Sequence, residues 1–280
     1  MEESRKMKRI FLSTLTAGVI AASLTSQAAH ADAPILATDI QTDSTYLMAR
    51  YASASLEQEL SNGNETLVEE IELKANSLEL MRSGKKLGSI TPLISMGVTF
   101  YDIEDEEKRG DFNIKAGFAA ETGNKRHIFY ASYDIRQEGY RDNFELAAIL
   151  RLTDVENTQK GLELALGIDL KEDLDEISGG DQFTVSTNAK AGLNSKWFLA
   201  AQLSLGVQTD TEYSDGSYIE HGPDLSAEVG LVFQAHERLQ LIGSIYGGFQ
   251  NHKYYTSSSD YYLTNNQTIT GVGLELTFAI

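Results

Sequence analysis

From Thr91 to the end of the chain, apolar and polar side chains alternate in short, regular stretches. Because side chains of a β-strand point alternately to its two faces, a period of two predicts strands. The last stretch places five apolar side chains on one face: Val272, Leu274, Leu276, Phe278 and Ile280. Ten such stretches occur, each of about ten residues, which is the length that crosses a bilayer at a tilt.

Residues 45 to 82 fit two patterns. Ile71, Leu73 and Ala75 alternate, and "SNGN" contains an Asn-Gly turn signal, so Tyr46 to Glu59 and Glu65 to Met81 are predicted to be two further strands. Apolar residues of the second segment also recur at helical spacing. We therefore predict twelve strands, with ten strands and an N-terminal helix as the alternative.

The connections between the stretches alternate in length. Short connections are "ETGNKR", "DVENTQK", "LNSK" and "QAHER", whereas the longer ones are "DIEDEEKRGD", "RQEGYRDN", "KEDLDEISGGDQ", "QTDTEYSDGSYIEHGPD" and "QNHKYYTSSSDYYLTNN". Short periplasmic turns and long external loops are typical of outer-membrane barrels. We expect the longer segments to be loops, with the acidic ones forming a solvated surface and the Tyr-rich one an ordinary loop or a contact for a sugar or protein.

Three features favour a membrane barrel over a soluble sandwich, which would show the same alternation. The apolar faces carry almost no charge, and a closed barrel satisfies every backbone group in lipid. Aromatic side chains of the apolar face also sort by height into two belts, one near the long loops and one near the short turns. The first belt is Phe100, Phe112, Tyr133, Phe144, Phe183 and Phe249, and the second is Trp197, Phe233 and Phe278. The predicted fold class is all-β, a closed antiparallel transmembrane β-barrel.

The N-terminal residues fit a secretory signal peptide. Lys6, Lys8 and Arg9 precede an uncharged run, and Ala29-His30-Ala31 fits a small-x-small cleavage site. We predict a cleaved signal peptide at 1–31, a short periplasmic segment at 32–44, and the barrel at 45–280.

Composition excludes several classes of protein. There is no cysteine, which excludes disulfides. A net charge of −18 argues against nucleic acid as a partner, since phosphate binding needs clustered Lys and Arg. We expect no cofactor and no metal ion.

The opposite faces of the strands carry the polar side chains that would line the lumen. They are Lys115, Glu121, Asp134, Arg136, Glu145, Arg151, Glu163, Asp169, Lys190, Glu228 and Glu275. Counting residues across "DVENTQK" places Arg151 opposite Glu163, which predicts a cross-strand ion pair, with Lys190 approaching Glu163 from the other neighbouring strand.

The closing stretch resembles the C-terminal recognition signal of Gram-negative outer-membrane β-barrel proteins. In that family, hydrophobic residues alternate back from an aromatic end and are read by the assembly machinery. Val272, Leu274, Leu276 and Phe278 match the alternation, while Ile280 stands where the family has an aromatic residue. The resemblance implies location in the outer membrane, with lipid, lipopolysaccharide and the barrel-assembly machinery as partners.

These observations favour a porin-like channel for small solutes with a charged lumen. The alternatives are a barrel like an autotransporter translocator, or a structural or adhesive barrel without an open pore. A surface hydrolase is a third possibility. His127 and His236 fall at the short-turn end, while His221 and His252 are predicted in long loops, the former near Asp210, Asp215 and Asp224. No further catalytic motif accompanies them, and we predict that the protein is not an enzyme.

Overall fold

The computed structural model describes residues 37–61, 66–104, 108–136, 141–174, 176–236, 238–257 and 262–280. The predicted signal peptide at 1–31 lies outside these ranges, as do most of "SNGN" and parts of four of the five longer connections. Among the described residues, no helix is long and apolar enough to cross a membrane.

Twelve long strands form a closed antiparallel barrel, as predicted. They are β1 (Thr45–Ser61), β2 (Thr66–Ser83), β3 (Ile90–Ile103), β4 (Arg109–Thr122), β5 (Lys125–Ile135), β6 (Asn143–Arg151), β7 (Lys160–Lys171), β9 (Gln182–Gly192), β10 (Trp197–Gln208), β13 (Asp224–His236), β14 (Leu239–Tyr255) and β15 (Tyr262–Ala279). Three short strands, β8 (Ile177–Gly179), β11 (Thr211–Tyr213) and β12 (Tyr218–His221), and a 3-10 turn at Ala37–Asp39 complete the described elements.

The first and last strands close the barrel. β1 pairs with β15 from Tyr46 opposite Ala279 to Ser61 opposite Thr264, and β13 pairs with β14. Residues 45 to 82, for which a helix was the alternative, form β1 and β2 instead. An Asn-Gly turn signal and strand pairing on both sides outweigh the helical spacing, because each strand of a closed sheet gains two hydrogen-bonded neighbours.

Burial is inverted relative to a soluble protein. Apolar side chains in mid-strand are exposed, with Leu203 54% and Ile245 65% accessible, whereas Arg151 and Glu163 are completely buried. An outer surface of this kind needs an apolar solvent, and the closed sheet leaves no open edge. The barrel therefore presents its apolar side chains to the bilayer.

One wall of the barrel is taller than the rest. β1, β2, β14 and β15 have 17 or 18 residues each, and on β14 the apolar outward positions end at Phe249. Beyond that point, β12 pairs with β14, β11 with β12, and β8 with β11. The prediction of plain loops was therefore wrong for parts of three connections: 177–179, 211–213 together with 218–221, and 251–255 with 262–266. These segments gain ladder hydrogen bonds from a neighbouring strand, which their polar composition does not reveal.

Glycine on the inner face of β15 allows a close side-chain approach. Gly271 lies directly opposite Tyr246 of β14, and a Cβ atom at this position would lie 2.5 Å from Tyr246 Cζ and 2.6 Å from the carbonyl oxygen of Ser53. Only a residue without a side chain leaves room for the phenol ring to lie across the strand. At outward-facing Gly243, by contrast, the nearest atom would be Leu274 Cδ2 at 3.8 Å.

Replacing Gly271 by alanine should therefore destabilise the barrel by about 1–3 kcal/mol through overpacking against Ser53 and Tyr246. Gly243→Ala is the matched control and should be neutral or slightly stabilising, since its site has room. Urea unfolding of the protein refolded into vesicles measures both variants. Equal stability of the two would contradict the packing described for Tyr246.

The lipid-facing assignment can be tested at Leu203, in the middle of β10. Leu203→Arg should cost about 2–4 kcal/mol of unfolding free energy in vesicles, because a guanidinium near the bilayer centre is poorly solvated. Glu57→Arg, on the outward face of β1 in the tall wall, should change stability by about 0.5 kcal/mol or less. If Leu203→Arg were tolerated equally well, the apolar face would not contact lipid.

Candidate functional site: the lumen of the barrel

The predicted lumen residues lie on the inner face of the barrel, where alternate positions of each strand are buried. Six of them are buried by more than nine-tenths: Glu145, Arg151, Glu163, Asp169, Glu228 and Glu275. The other five are half-buried: Lys115, Glu121, Asp134, Arg136 and Lys190. The alternation thus places all of the predicted polar set inside the barrel.

The predicted cross-strand pair is confirmed at the short-turn end. Arg151 of β6 lies directly opposite Glu163 of β7, with 3.9 Å between Arg151 Nη1 and Glu163 Oε1. Two fully buried opposite charges on adjacent strands stabilise one another because water does not screen them.

Lys190 pairs with a carboxylate other than that of Glu163, which the sequence predicted. Its ammonium group binds Asp39, and the same carboxylate accepts from Arg151 Nη1 at 3.1 Å. Asp39 precedes β1 and belongs to no alternating stretch, so strand periodicity carried no information about it. The segment predicted to be a short periplasmic one, where it is described, therefore enters the lumen.

A small apolar patch on the inner wall receives this segment. Ala119, Ile128 and Ile149 form a buried cluster, against which Ala37 and Ile40 pack. Inward-facing isoleucines are unusual in a polar lumen, because they would be exposed to water if nothing covered them. The N-terminal segment provides that cover.

Charges elsewhere in the lumen also have partners on the wall. Arg50 of β1 lies opposite Glu275 in register and reaches Glu228 of β13 at 3.4 Å. Glu121 binds Lys86 and accepts from Arg126 at 2.9 Å. Arg50 and Arg126 are inward cations that the sequence reasoning missed. Arg50 lies in the segment for which helix and strand were both considered.

Acidic groups in the middle of the lumen are held mainly by neutral donors. Glu145 accepts from Tyr130 Oη at 3.0 Å and from Ser132 Oγ at 2.9 Å. Asn143 donates to Asp169 at 3.1 Å and to Asp134 at 3.4 Å. Hydroxyl and amide donors satisfy the oxygens of these carboxylates and carry no charge of their own.

Lys115 and Arg109 face aromatic rings on the same inner wall. Lys115 Nζ lies 4.7 Å from the ring centroid of Tyr130, and the guanidinium of Arg109, another inward cation that was missed, lies 4.7 Å from that of Tyr101. Arg109 Nε is also 3.4 Å from Asp111 Oδ1. The inner wall is therefore a network of paired groups on neighbouring strands.

Uncharged amides replace the charges near the loop end of the tall wall. Gln58, Gln267 and Gln250 lie in one row across β1, β15 and β14, and the next row contains Asn265, His252 and His221. All but His221 in these two rows are buried by nine-tenths or more. On this wall, the charged residues Arg50 and Glu275 thus lie toward the short turns, and the amides lie toward the loops.

His221 and His252 lie on paired strands, so their placement in loops was wrong. Their Nδ1 atoms are 2.9 Å apart, His221 Nε2 lies 2.9 Å from Thr211 Oγ1, and His252 Nε2 lies 3.4 Å from Gln250 Oε1. Because Gln250 Oε1 is an acceptor, His252 carries its proton on Nε2 and accepts from His221 Nδ1. His221 Nε2 in turn accepts from Thr211.

This hydrogen-bond chain requires both imidazoles to be neutral. It lies beyond Phe249 and so outside the apolar band. Burial lowers the pKa of His221 to about 3, with smaller contributions from the charges of His252 and Lys171. Burial also lowers the pKa of His252, to about 4. Since both ring nitrogens of His221 bind Thr211 and His252, the geometry differs from the aspartate–histidine pair considered for catalysis.

The aromatic residues of both predicted belts project outward. Phe100 and Phe249 are among the exposed ones at the loop end, and Trp197 stacks on Phe233 at the short-turn end with ring centroids 4.6 Å apart. Phe118 and Phe129, with centroids 5.3 Å apart beside the β4–β5 turn, extend the second belt. The predicted assembly signal, Val272 to Ile280, has its apolar side chains on the same outer surface.

No protein-family model matches the chain, and no curated protein sequence does. Among solved structures, the chain is similar to the COG4313 outer membrane channel from Pseudomonas putida F1, at 10% identity over 86% of this chain and 97% of that one, with a TM-score of 0.64. It is also similar to the translocator domain of autotransporter NalP from Neisseria meningitidis, at 13% identity over 93% and 98%, with a TM-score of 0.52. The chain therefore has the fold of Gram-negative outer-membrane β-barrel proteins.

The histidine pair predicts a dependence on pH at the loop end. A lowered histidine pKa in the folded state means that the contact contributes fully above the unfolded value of about 6.5, and the contribution is lost as the pH falls below it. We expect amide-exchange protection factors in β11 and β12 to fall between about pH 6.5 and pH 4, while those of β4 and β5 stay constant. A double His221→Gln, His252→Gln variant should show no such fall, and an unchanged profile in the wild type would contradict the neutral pair.

Proposed function

We propose that this protein is a channel for small solutes in the outer membrane, with a charged lumen. The observation that carries the proposal is the inner face of a twelve-stranded closed barrel, on which buried polar and charged side chains outnumber the buried apolar ones. Eight strands enclose only side chains, whereas twelve strands spaced about 4.8 Å apart and tilted by about 40° enclose a ring of about 24 Å between opposite backbones. Such a ring leaves room for an aqueous path beside the inward side chains.

The short turns would face the periplasm and the tall wall the exterior. Both described ends of the barrel, Thr45 and Ala279, lie at the short-turn end. An exported chain that ends on the periplasmic side and has an even number of strands has this orientation. Lipid, lipopolysaccharide and the barrel-assembly machinery remain the proposed partners.

The charges support a weak preference for cations. Acidic residues outnumber basic ones by seven to four among the predicted lumen residues. Arg50, Arg109 and Arg126 offset that excess, while Asp39 and Asp111 add negative charge on the same inner wall. Rings of side chains select ions by the charge that remains after pairing.

Conductance in planar bilayers tests the channel directly. We expect discrete current steps and a reversal potential in a KCl gradient that shows mild cation selectivity. Persistent silence of the refolded protein would overturn the channel and favour a structural or adhesive barrel. Release of a cleaved peptide substrate would instead favour the hydrolase alternative.

Replacing Glu228 by glutamine should reduce the potassium-to-chloride permeability ratio by about twofold, because the positive charge of Arg50 becomes less compensated. Arg50 keeps Glu275 opposite it, so the barrel should still fold. Glu57→Gln removes an equal charge from the outer face of β1 and should leave the ratio unchanged. Equal effects of the two substitutions would show that the inner charges do not line the conducting path.

A further inference from the structure

Residues 37–44, named the strap below, cross the short-turn mouth of the barrel. Ala37, Asp39 and Ile40 contact β5, β6, β7 and β9, while Gln41 and Ser44 contact β1 and β2. In the ring of twelve strands, β9 is five strands from β1 in one direction and seven in the other, so these walls face each other. The long side chains of Arg126, Arg151 and Lys190 reach toward the strap from the wall opposite β1.

The two ends of the strap are attached by different kinds of contact. At the β1–β2 end, Asp43 N donates to Gly84 O at 2.9 Å, Ser44 N donates to Ser83 Oγ at 3.0 Å, and Arg82 binds the Asp43 carboxylate. Asp43 has φ of 53°, a left-handed conformation that aspartate tolerates at a sharp turn. This end is a fixed corner from which the chain enters β1.

The opposite end is held chiefly through Asp39. Its carboxylate bridges Arg151 and Lys190, Ala37 N donates to Glu163 Oε2 at 3.2 Å, and Arg126 donates to Ile40 O. Among the strap side chains that the structure describes, those of Ala37 and Ile40 add apolar burial on the inner patch. Attachment at this end therefore depends on electrostatic contacts more than on apolar area.

Three cations of the wall keep a partner when the strap is removed. Arg151 keeps Glu163 at 3.9 Å, Lys190 keeps the ring of Phe198 at 5.4 Å, and Arg126 keeps Glu121 at 2.9 Å. A buried charge that loses its only partner is strongly destabilising, but none of these three cations is left without a partner. Both the attached and the released arrangement are thus compatible with an intact barrel.

We propose that the strap is a gate at the short-turn mouth, which opens when the Asp39 end detaches from Arg151 and Lys190 and swings about the Asp43 corner. This inference rests on the proposed channel function. It adds a closed state of the channel, in which the Asp39 carboxylate is the latch, meaning the group that holds the strap on Arg151 and Lys190.

Asp39→Asn tests the latch, because it keeps the size of the side chain and removes its charge. Charge-assisted hydrogen bonds are roughly twice as strong as neutral ones, so the ratio of open to closed time in single-channel records should rise by about tenfold or more. Asp154→Asn removes an equal charge from the exposed β6–β7 connection at the same mouth and is the matched control. An unchanged ratio in Asp39→Asn, or an equal rise in Asp154→Asn, would overturn the gate.

A locked variant tests the motion itself. The chain has no cysteine, so Ile40→Cys with Ile128→Cys can be joined by a short bis-methanethiosulfonate crosslinker. Crosslinking should abolish long openings, and a reductant should restore them. Full conductance of the crosslinked protein would overturn the proposal.

Thiol labelling separates failure of the gate from failure of the channel. A cysteine at Ala37 should react with a water-soluble thiol reagent about tenfold faster or more when Asp39→Asn is also present. Faster labelling without any conductance would support movement of the strap and contradict the channel function. If conductance steps occur but Asp39→Asn leaves the labelling rate unchanged, the result would support the channel and contradict the gate.

Discussion

The structure depends on one constraint, the pairing of each of the twelve long strands on both edges. In lipid, an unpaired backbone N–H or C=O group costs several kcal/mol, so a sheet with an apolar outer surface must close. β1 and β15 meet this requirement over the full length from Tyr46 to Ser61. Once the ring is closed, side-chain alternation assigns one face of each strand to lipid and the other to the lumen, and the polar interior follows.

Inside the ring, pairing between strands decides the charge pattern. Arg151 and Glu163 are adjacent because the β6–β7 connection sets the register, and Arg50 reaches Glu228 because both occupy inward positions on nearby strands. Such pairs hold buried charges at tolerable cost, whereas the same residues facing outward would be unstable in lipid. The pairing on the polar face therefore serves the stability of the barrel.

Strand periodicity was sufficient to predict most of the barrel, because lipid and lumen impose opposite polarity at every step of a strand. It was sufficient for Arg151 and Glu163, whose opposition follows from counting residues across one turn. It could not predict the short strands β8, β11 and β12, which are polar and depend on the tall wall. It also missed Asp39, whose partners lie 112 and 151 residues away with no repeated pattern between them.

The corner at Asp43 leads directly into β1, the strand that seals the ring. The wall that receives Asp39 comes from β6 and β9, which lie far along the chain from this corner. During biogenesis, the binding site for Asp39 on that wall is completed only after β9 has paired with its neighbouring strands. Each newly made molecule must therefore pass through a stage in which the N-terminal segment lacks its binding site. Insertion of this segment is a late step of maturation.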